Sequence, residues 1–195
     1  MIISATSSEF ISSSLIENKI VIMPTDTVYG IHGLASKQDV VEHIYELKQR
    51  DKDKPFIILI GHISDLLKFN INLDQKTLDF LNRIWPNSIS VVLPCLDKNL
   101  AYLHRGTNSL AFRIPKDEHL QSILQKTGSI VSTSANISDK PTAKDIQQAK
   151  DYFGDNVDLY IDGGVLENPS STVIEIINGK VNVLRQGQVK IEVAL

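Results

Sequence analysis

Lys48 and Arg50, the run Ser132-Thr133-Ser134-Ala135-Asn136, and the segment Pro24-Thr25-Asp26-Thr27-Val28-Tyr29-Gly30 place polar chemistry beside apolar, strand-like or helix-like runs. Two cations, several hydroxyls and an amide are the groups that recognise a small polar substrate and handle phosphate. Lys48 continues the helical face set by Val41, Ile44 and Tyr45, so its ammonium points toward the interior or a cleft. An unpaired buried charge is costly, so this side chain must snorkel out, find a partner or meet an anionic ligand. Arg50 lines up with Lys48 only if the helix ends near it, which Asp51-Lys52-Asp53-Lys54-Pro55 favours. A basic helix C-terminus that satisfies the helix dipole is the plainer reading of the pair.

Ser132, Ser134 and Asn136 alternate, so they share one face if the chain leaves its strand extended. Loops at the carboxyl ends of strands are where open α/β sheets place ligands, although an Asn/Ser turn that caps the next helix fits equally. Thr25, Asp26, Thr27 and Tyr29 form either a pocket wall or a strand-to-helix connection, with Gly30 and Gly33 permitting tight backbone geometry. Arg113 and Arg185, each inside an apolar run, need a carboxylate or phosphate, either a ligand's or an internal Asp or Glu. Several other chemistries are absent. There is no G-x-x-x-x-G-K-[ST] or G-x-G-x-x-G loop and no G-x-S-x-G elbow, and the five histidines lack metal-ligand spacing. Any bound nucleotide must be held by scattered cations, backbone amides and hydroxyls.

The elements that position these groups alternate. A first helix is expected around Phe10, Leu15 and Ile16, then a strand at Ile20–Met23 and a helix carrying Val41 to Lys48. A strand follows at Phe56–Ile60, then a helix with Leu78, Leu81 and Trp85 that Pro86 stops. Strands are expected at Ser90–Leu93, Leu110–Arg113 and Ile130–Val131, with a helix at Leu120 to Leu124 and a polar one from Ala143 to Tyr152. Asn178-Gly179 between Thr172–Ile177 and Lys180–Leu184 signals a β-hairpin. The fold class is therefore α/β with a mixed sheet. Apolar residues at 42%, charged residues at 22% and a net charge of −3 are ordinary globular composition, which excludes a chain that coats nucleic acid wholesale. One cysteine excludes an internal disulfide, and no run is long enough to span a membrane. No signal peptide is evident, and the expectation is a cytoplasmic protein with a single domain over residues 1–195.

These motifs, with Leu47-Lys48-Gln49-Arg50, Trp85-Pro86, Arg113-Ile114-Pro115, Pro169-Ser170-Ser171-Thr172-Val173 and Leu184-Arg185-Gln186-Gly187, resemble the YrdC-type L-threonylcarbamoyladenylate synthase family in its short, single-domain form. The resemblance implies an open, twisted mixed sheet flanked by helices around a positively charged concave cavity. It also implies a reaction that joins L-threonine, bicarbonate or CO₂ and ATP into threonylcarbamoyl-AMP, releasing pyrophosphate. A separate tRNA threonylcarbamoyl transferase would then receive the product. By that resemblance Lys48, Arg50, Ser134 and Asn136 are the catalytic set. Arg50, Lys54, Ser109, Ser134 and Arg185 would bind ATP, and Thr27, Arg113, Ser132 and Ser171 would bind threonine. Mg²⁺ would travel with ATP, with no metal site or organic cofactor in the protein itself. Direct binding of tRNA or another RNA, including a non-catalytic double-stranded RNA or ribosome-binding role, is the alternative the same family offers. The sequence departs from the family pattern at Asn87-Ser88, at Asp139, where glycine is common and Asp tolerates a left-handed conformation better than most residues, so that a local adjustment is expected, and at Leu59, where longer relatives often carry histidine. The segment from Asp139 to Ala149 is a candidate lid.

Overall fold

The computed structural model describes residues 2–4, 7–177 and 180–191. Ten strands form one open, twisted sheet: β1 (Ile2–Ser4), β2 (Val21–Met23), β3 (Gly30–Leu34), β4 (Ile57–Leu59), β5 (Ile89–Pro94), β6 (Ser109–Arg113), β7 (Ile130–Ser134), β8 (Leu159–Asp162), β9 (Thr172–Ile177) and β10 (Lys180–Arg185). Their spatial order is β1-β8-β2-β3-β7-β4-β6-β5-β9-β10. β1/β8, β8/β2, β4/β6 and β5/β9 pair in parallel, and the remaining neighbours are antiparallel, so the sheet is mixed as expected. β9 and β10 pair as a hairpin would require, with Lys180 opposite Ile177; the Asn178-Gly179 turn lies outside the described residues.

Among the described residues six α-helices flank the sheet: α1 (Ser8–Ile16), α2 (Gln38–Lys48), α3 (Gln75–Ile84), α4 (Ala101–His104), α5 (Glu118–Thr127) and α6 (Ile146–Phe153). Four begin on side-chain caps: Ser7, Asp74, Asp117 and Asp145 accept from the backbone amides of Phe10, Thr77, Leu120 and Gln148. The sheet's two faces carry different cores. Ile22, Ile31, Ile58, Val131, Phe112 and Ile174 pack with α2, α3 and α6 on one side. Val21, Met23, Leu59 and Ile130 pack under α1 and α5 on the other. Strand alternation makes this split. It also fixes the site, because Ser132 and Ser134 follow Ile130 on the second face, and Arg113 opposes Phe112 on β6. The helices α1 and α5 cover only part of that face, and the polar side chains occupy the rest.

The expected helices α1 and α3 both form, with inward faces that other residues share. Phe10 and Ile16 are 45% and 54% exposed, and α1 instead buries Ile11 and Leu15, an i,i+4 pair whose stripe the two flanking residues miss. On α3 the inward residues are Thr77, Phe80 and Leu81, while Leu78 is half-buried. Gly30 and Gly33 belong to β3, a central strand that β-propensity does not announce because two of its five residues are glycine. Both have ordinary strand dihedrals, and what they provide is close approach. A Cβ on Gly33 would overlap Val40 Cγ1 of α2 and sit 3.1 Å from Ile44 Cδ1. Among the described residues no helix is long and apolar enough to cross a membrane.

Gly33→Ala should therefore destabilise the protein by about 1–3 kcal/mol through overpacking. Pairing it with Val40→Ala should recover part of that loss in urea denaturation; equal stability of Gly33→Ala and wild type would contradict this packing.

Candidate active site

The helix α2 delivers the two cations. Val41, Ile44, Tyr45 and Lys48 are all buried, and the helix stops when Gln49 turns left-handed at φ 50°. Arg50 then leaves in a new direction, its backbone amide donating to the Tyr45 carbonyl at 3.1 Å. Lys48 is 1% exposed. Its Nζ donates to Ser134 O at 2.6 Å, Asn136 O at 2.7 Å and Asn136 Oδ1 at 3.2 Å. The buried ammonium has thus found partners, and they are carbonyls. It does not reach the cavity where a phosphate would lie.

This latch organises the segment after β7. Ser134 Oγ donates to Asn136 Oδ1 at 2.6 Å, and Asn136 Nδ2 donates to the carbonyls of Ile137 and Lys140. The Ser138 amide donates back to the Lys48 carbonyl at 2.8 Å, and Asp139 is left-handed, φ 64°, the conformation glycine would take there without strain. The candidate lid segment is pinned at several points: Ala143 N donates to Ala135 O, Leu166 N donates to Lys144 O, and Lys144 pairs with Glu167 at 2.8 Å.

In front of the latch lies a cavity of about 120 Å³. Three of its lining residues are arginines, Arg50, Arg113 and Arg185, and Thr27, Ser132, Ser134 and Ser171 supply hydroxyls. Among the described residues no Asp or Glu lines it. Arg50 is held by Nε donating to Lys54 O at 2.9 Å and by the Phe56 ring 5.6 Å beneath its guanidinium. Arg185 donates from Nε and Nη2 to Ser171 O at 3.2 and 2.9 Å. Arg113, 3% exposed, donates from Nη1 to Thr27 Oγ1 at 3.3 Å and lies 3.2 Å from Asp26 Oδ1. Burial is the main influence pulling all three guanidinium pKa values down; Arg50 adds to the effect on Arg185, and Arg185 to that on Arg113. Arg185 thus feels repulsion from Arg50, and Arg113 from Arg185, while Asp26 partly offsets Arg113 and Asp51 and Asp53 partly offset Arg50.

The cavity gathers Arg50, Arg113, Arg185, Thr27, Ser132, Ser134 and Ser171. Lys48 and Asn136 stand behind its wall. Lys54 is exposed and pairs with Asp51 at 2.5 Å, contributing its carbonyl to Arg50 while its ammonium stays outside the lining. Ser109 is on the same face as Arg113 but four residues back along β6, roughly 13 Å away at strand spacing, and its Oγ donates to Thr107 Oγ1. Asp26, one of the residues of the possible pocket wall, pairs with Arg113 from outside the lining, and His32 is marked by no motif. His32 is fully buried, with neither ring nitrogen paired, and burial followed by the Arg113 charge pushes it down to about 3, so it is neutral. A histidine at an alternating strand position looks like ordinary core, and only its cross-strand neighbour Ser132 reveals that it backs the site. Tyr29 clamps the chain between β8 and β9: its hydroxyl donates to Gly164 O at 2.7 Å and accepts from Gly163 N at 2.8 Å.

Burial, reinforced by Arg50, lowers Lys48 to about 7 from an unfolded value near 10.5. Between those values the unfolded chain carries the extra proton, so this residue makes stability rise as pH climbs from about 7 toward 10.5. The stability difference between wild type and Lys48→Met, measured in urea at pH 7 and pH 9, should move in favour of wild type at the higher pH. A difference that does not change would contradict the lowered pKa, and with it the dominance of burial over the carbonyl bonds of Lys48.

A family model for Sua5, YciO and YrdC proteins, described as Telomere recombination, matches residues 13–187. The threonylcarbamoyl-AMP synthase of Pseudoalteromonas translucida is 30% identical over 173 residues, covering 86% of this chain and 91% of that protein. The one from Bacillus subtilis is 30% identical over 174 residues, covering 88% of this chain and 50% of the relative. Among solved structures, that of P. abyssi Sua5 complexed with L-threonine superposes with a TM-score of 0.87 at 28% identity, over 96% of this chain and 57% of the archaeal one. This chain thus spans about half the length of the two longer relatives. With its whole cavity inside the matched span, the chain belongs to the Sua5/YciO/YrdC family.

Proposed function

We propose that this chain is a threonylcarbamoyl-AMP synthase, which condenses L-threonine, bicarbonate and ATP into threonylcarbamoyl-AMP and releases pyrophosphate. The observation that carries this reading is the convergence of Arg50, Arg113 and Arg185 with seven Ser and Thr residues in one small cavity, without a carboxylate lining it among the described residues. Cations packed into an enclosure, rather than spread along a surface, suit a small anionic substrate better than an RNA backbone.

The chemistry needs no protein nucleophile. The threonine amine attacks CO₂ and loses a proton, giving a carbamate. A carbamate oxygen then attacks the α-phosphorus, and the bond to the departing pyrophosphate breaks. What accelerates such a reaction is orientation of two anions and stabilisation of charge on the α-phosphoryl group and leaving group. In this reading Arg113 holds the amino-acid carboxylate, with Thr27, Ser132 and Ser171 around it. Arg50 and Arg185 face the phosphates, with Ser134 beside the nucleotide. A volume of about 120 Å³ encloses an amino-acid-sized group, and the nucleotide lies along the open remainder of the face, in the direction of Ser109. Lys54 reaches the phosphates if it exchanges Asp51 for them.

Lys48 and Asn136 then serve the chemistry by fixing Ser134 rather than by touching phosphate. Mg²⁺ enters as ATP's companion, held by phosphate oxygens, because the cavity offers cations and hydroxyls rather than carboxylates. The product is a mixed carbamic-phosphoric anhydride, so a transferase that moves the threonylcarbamoyl group to tRNA adenosine in the cytoplasm must consume it.

Pyrophosphate release by the purified protein should require ATP, L-threonine and bicarbonate together. Arg50→Ala should slow it at least about tenfold, about 1.4 kcal/mol in the barrier. L-Serine should replace L-threonine better than L-valine does, since valine leaves hydroxyl-binding groups unpaired. Release independent of threonine, or a wild-type rate in Arg50→Ala, would contradict the reading.

A further inference from the structure

Arg113 has a partner that the proposed reaction does not use. Asp26 does not line the cavity that Arg113 faces. It lies on the other side of the guanidinium, where its Oδ2 accepts a hydrogen bond from Ser88 Oγ at 2.9 Å, and it borders a separate space with Asn87, Ser88 and Lys116. The approach to Arg113 is unusual in one respect. Asp26 Oδ1 is 3.2 Å from Arg113 Nη2, yet Oδ1 has no aligned hydrogen bond, and Arg113 Nε has no partner at all. The carboxylate supplies counter-charge without occupying the donors of the guanidinium. On the cavity side Arg113 Nη1 donates to Thr27 Oγ1.

We infer that Asp26 is an affinity-setting positioning residue: an internal carboxylate, steadied by Ser88, that competes electrostatically with the substrate's carboxylate for Arg113. This deepens the synthase reading and rests on it. The physical argument compares two states. With the cavity empty, Asp26 is the nearest counter-charge to a cation that is 3% exposed, and losing it would leave that cation uncompensated. With a carboxylate ligand bound, Arg113 has a second anion, so the same loss costs less. Removing the Asp26 charge therefore raises the free energy of the empty site more than that of the occupied one, and binding of a carboxylate tightens. The amino-acid carboxylate takes no part in bond making and survives unchanged in threonylcarbamoyl-AMP. A built-in competitor for Arg113 thus weakens the hold on product as well as on substrate, which favours turnover over retention.

A residue that only supports the fold would predict the opposite, or nothing, for affinity. The test is calorimetric binding of L-threonine and of L-threoninamide, which lacks the carboxylate charge, to wild type, Asp26→Asn and Ser88→Ala. Asp26→Asn should bind L-threonine at least about threefold more tightly, the least expected from removing a full charge at this distance, while its affinity for L-threoninamide stays at the wild-type level. In turnover, KM for threonine and kcat should both fall. Ser88→Ala should act in reverse. Its Asp26 carboxylate loses a hydrogen bond that disperses its charge, competes harder for Arg113, and weakens L-threonine binding; this arm stands even if Asp26→Asn fails to fold. Unchanged or weaker threonine binding in Asp26→Asn would overturn the inference, as would parallel changes for both ligands. Wild type that binds no threonine would sink the synthase reading itself, and this inference with it; wild type that binds threonine while Asp26→Asn is unaltered would sink the inference alone.

Discussion

One buried ammonium joins the two halves of this site. Lys48 ends α2, and its three bonds to Ser134 and Asn136 tie that helix to the last residues of β7. The tie fixes where Arg50 emerges, because the left-handed Gln49 sits between the two cations. It also fixes which way Ser134 faces, because the carbonyls that Lys48 holds leave the Ser134 side chain on the cavity side. A lysine in that place is an expensive solution, since a charge must be desolvated. Three carbonyl acceptors match its three donors, and no apolar residue could satisfy those carbonyls.

The cavity in front of this latch is built with its charge unbalanced. Arg50, Arg113 and Arg185 face one space, each lowered chiefly by burial, and Asp26, the counter-charge of Arg113, stands behind the wall. Repulsion among fixed cations raises the energy of the empty site and is relieved when anions enter. The guanidinium groups are steadied in advance by carbonyls, by Thr27 and by the Phe56 ring, so little reorganisation remains when substrate arrives. Preorganised donors of this kind are the principal means by which a site without a nucleophile accelerates phosphoryl-group chemistry.

Much of this arrangement is legible in the sequence, and the parts that are not have physical reasons. Lys48 stands out because a cation continues an apolar helical stripe, and the alternation of Ser132 and Ser134 after Ile130 does give one shared face. What the pattern does not contain is the identity of the acceptor: a buried lysine signals the need for a partner, and whether that partner is a phosphate or a carbonyl depends on tertiary contacts. The strand β3 escapes because Gly30 and Gly33 were selected for close approach to His32 and α2, not for β-propensity. Asp26 reads as one residue of a turn until β6 brings Arg113 to it, a pairing across 87 positions of chain that no local pattern encodes. Ser109 shows the reverse limit, since sharing a face along a strand does not place a side chain in the enclosed part of a site.

The central claim is that this cavity couples threonine, a one-carbon unit and the α-phosphate of ATP in a single product. The most direct measurement is mass spectrometry of the nucleotides formed from ATP, L-threonine and ¹³C-bicarbonate. The account predicts a threonine-containing AMP adduct whose mass rises by the one labelled carbon, and whose formation parallels loss of ATP. An adduct of threonine and AMP that carries no label, or no adduct at all from protein that binds both substrates, would contradict it.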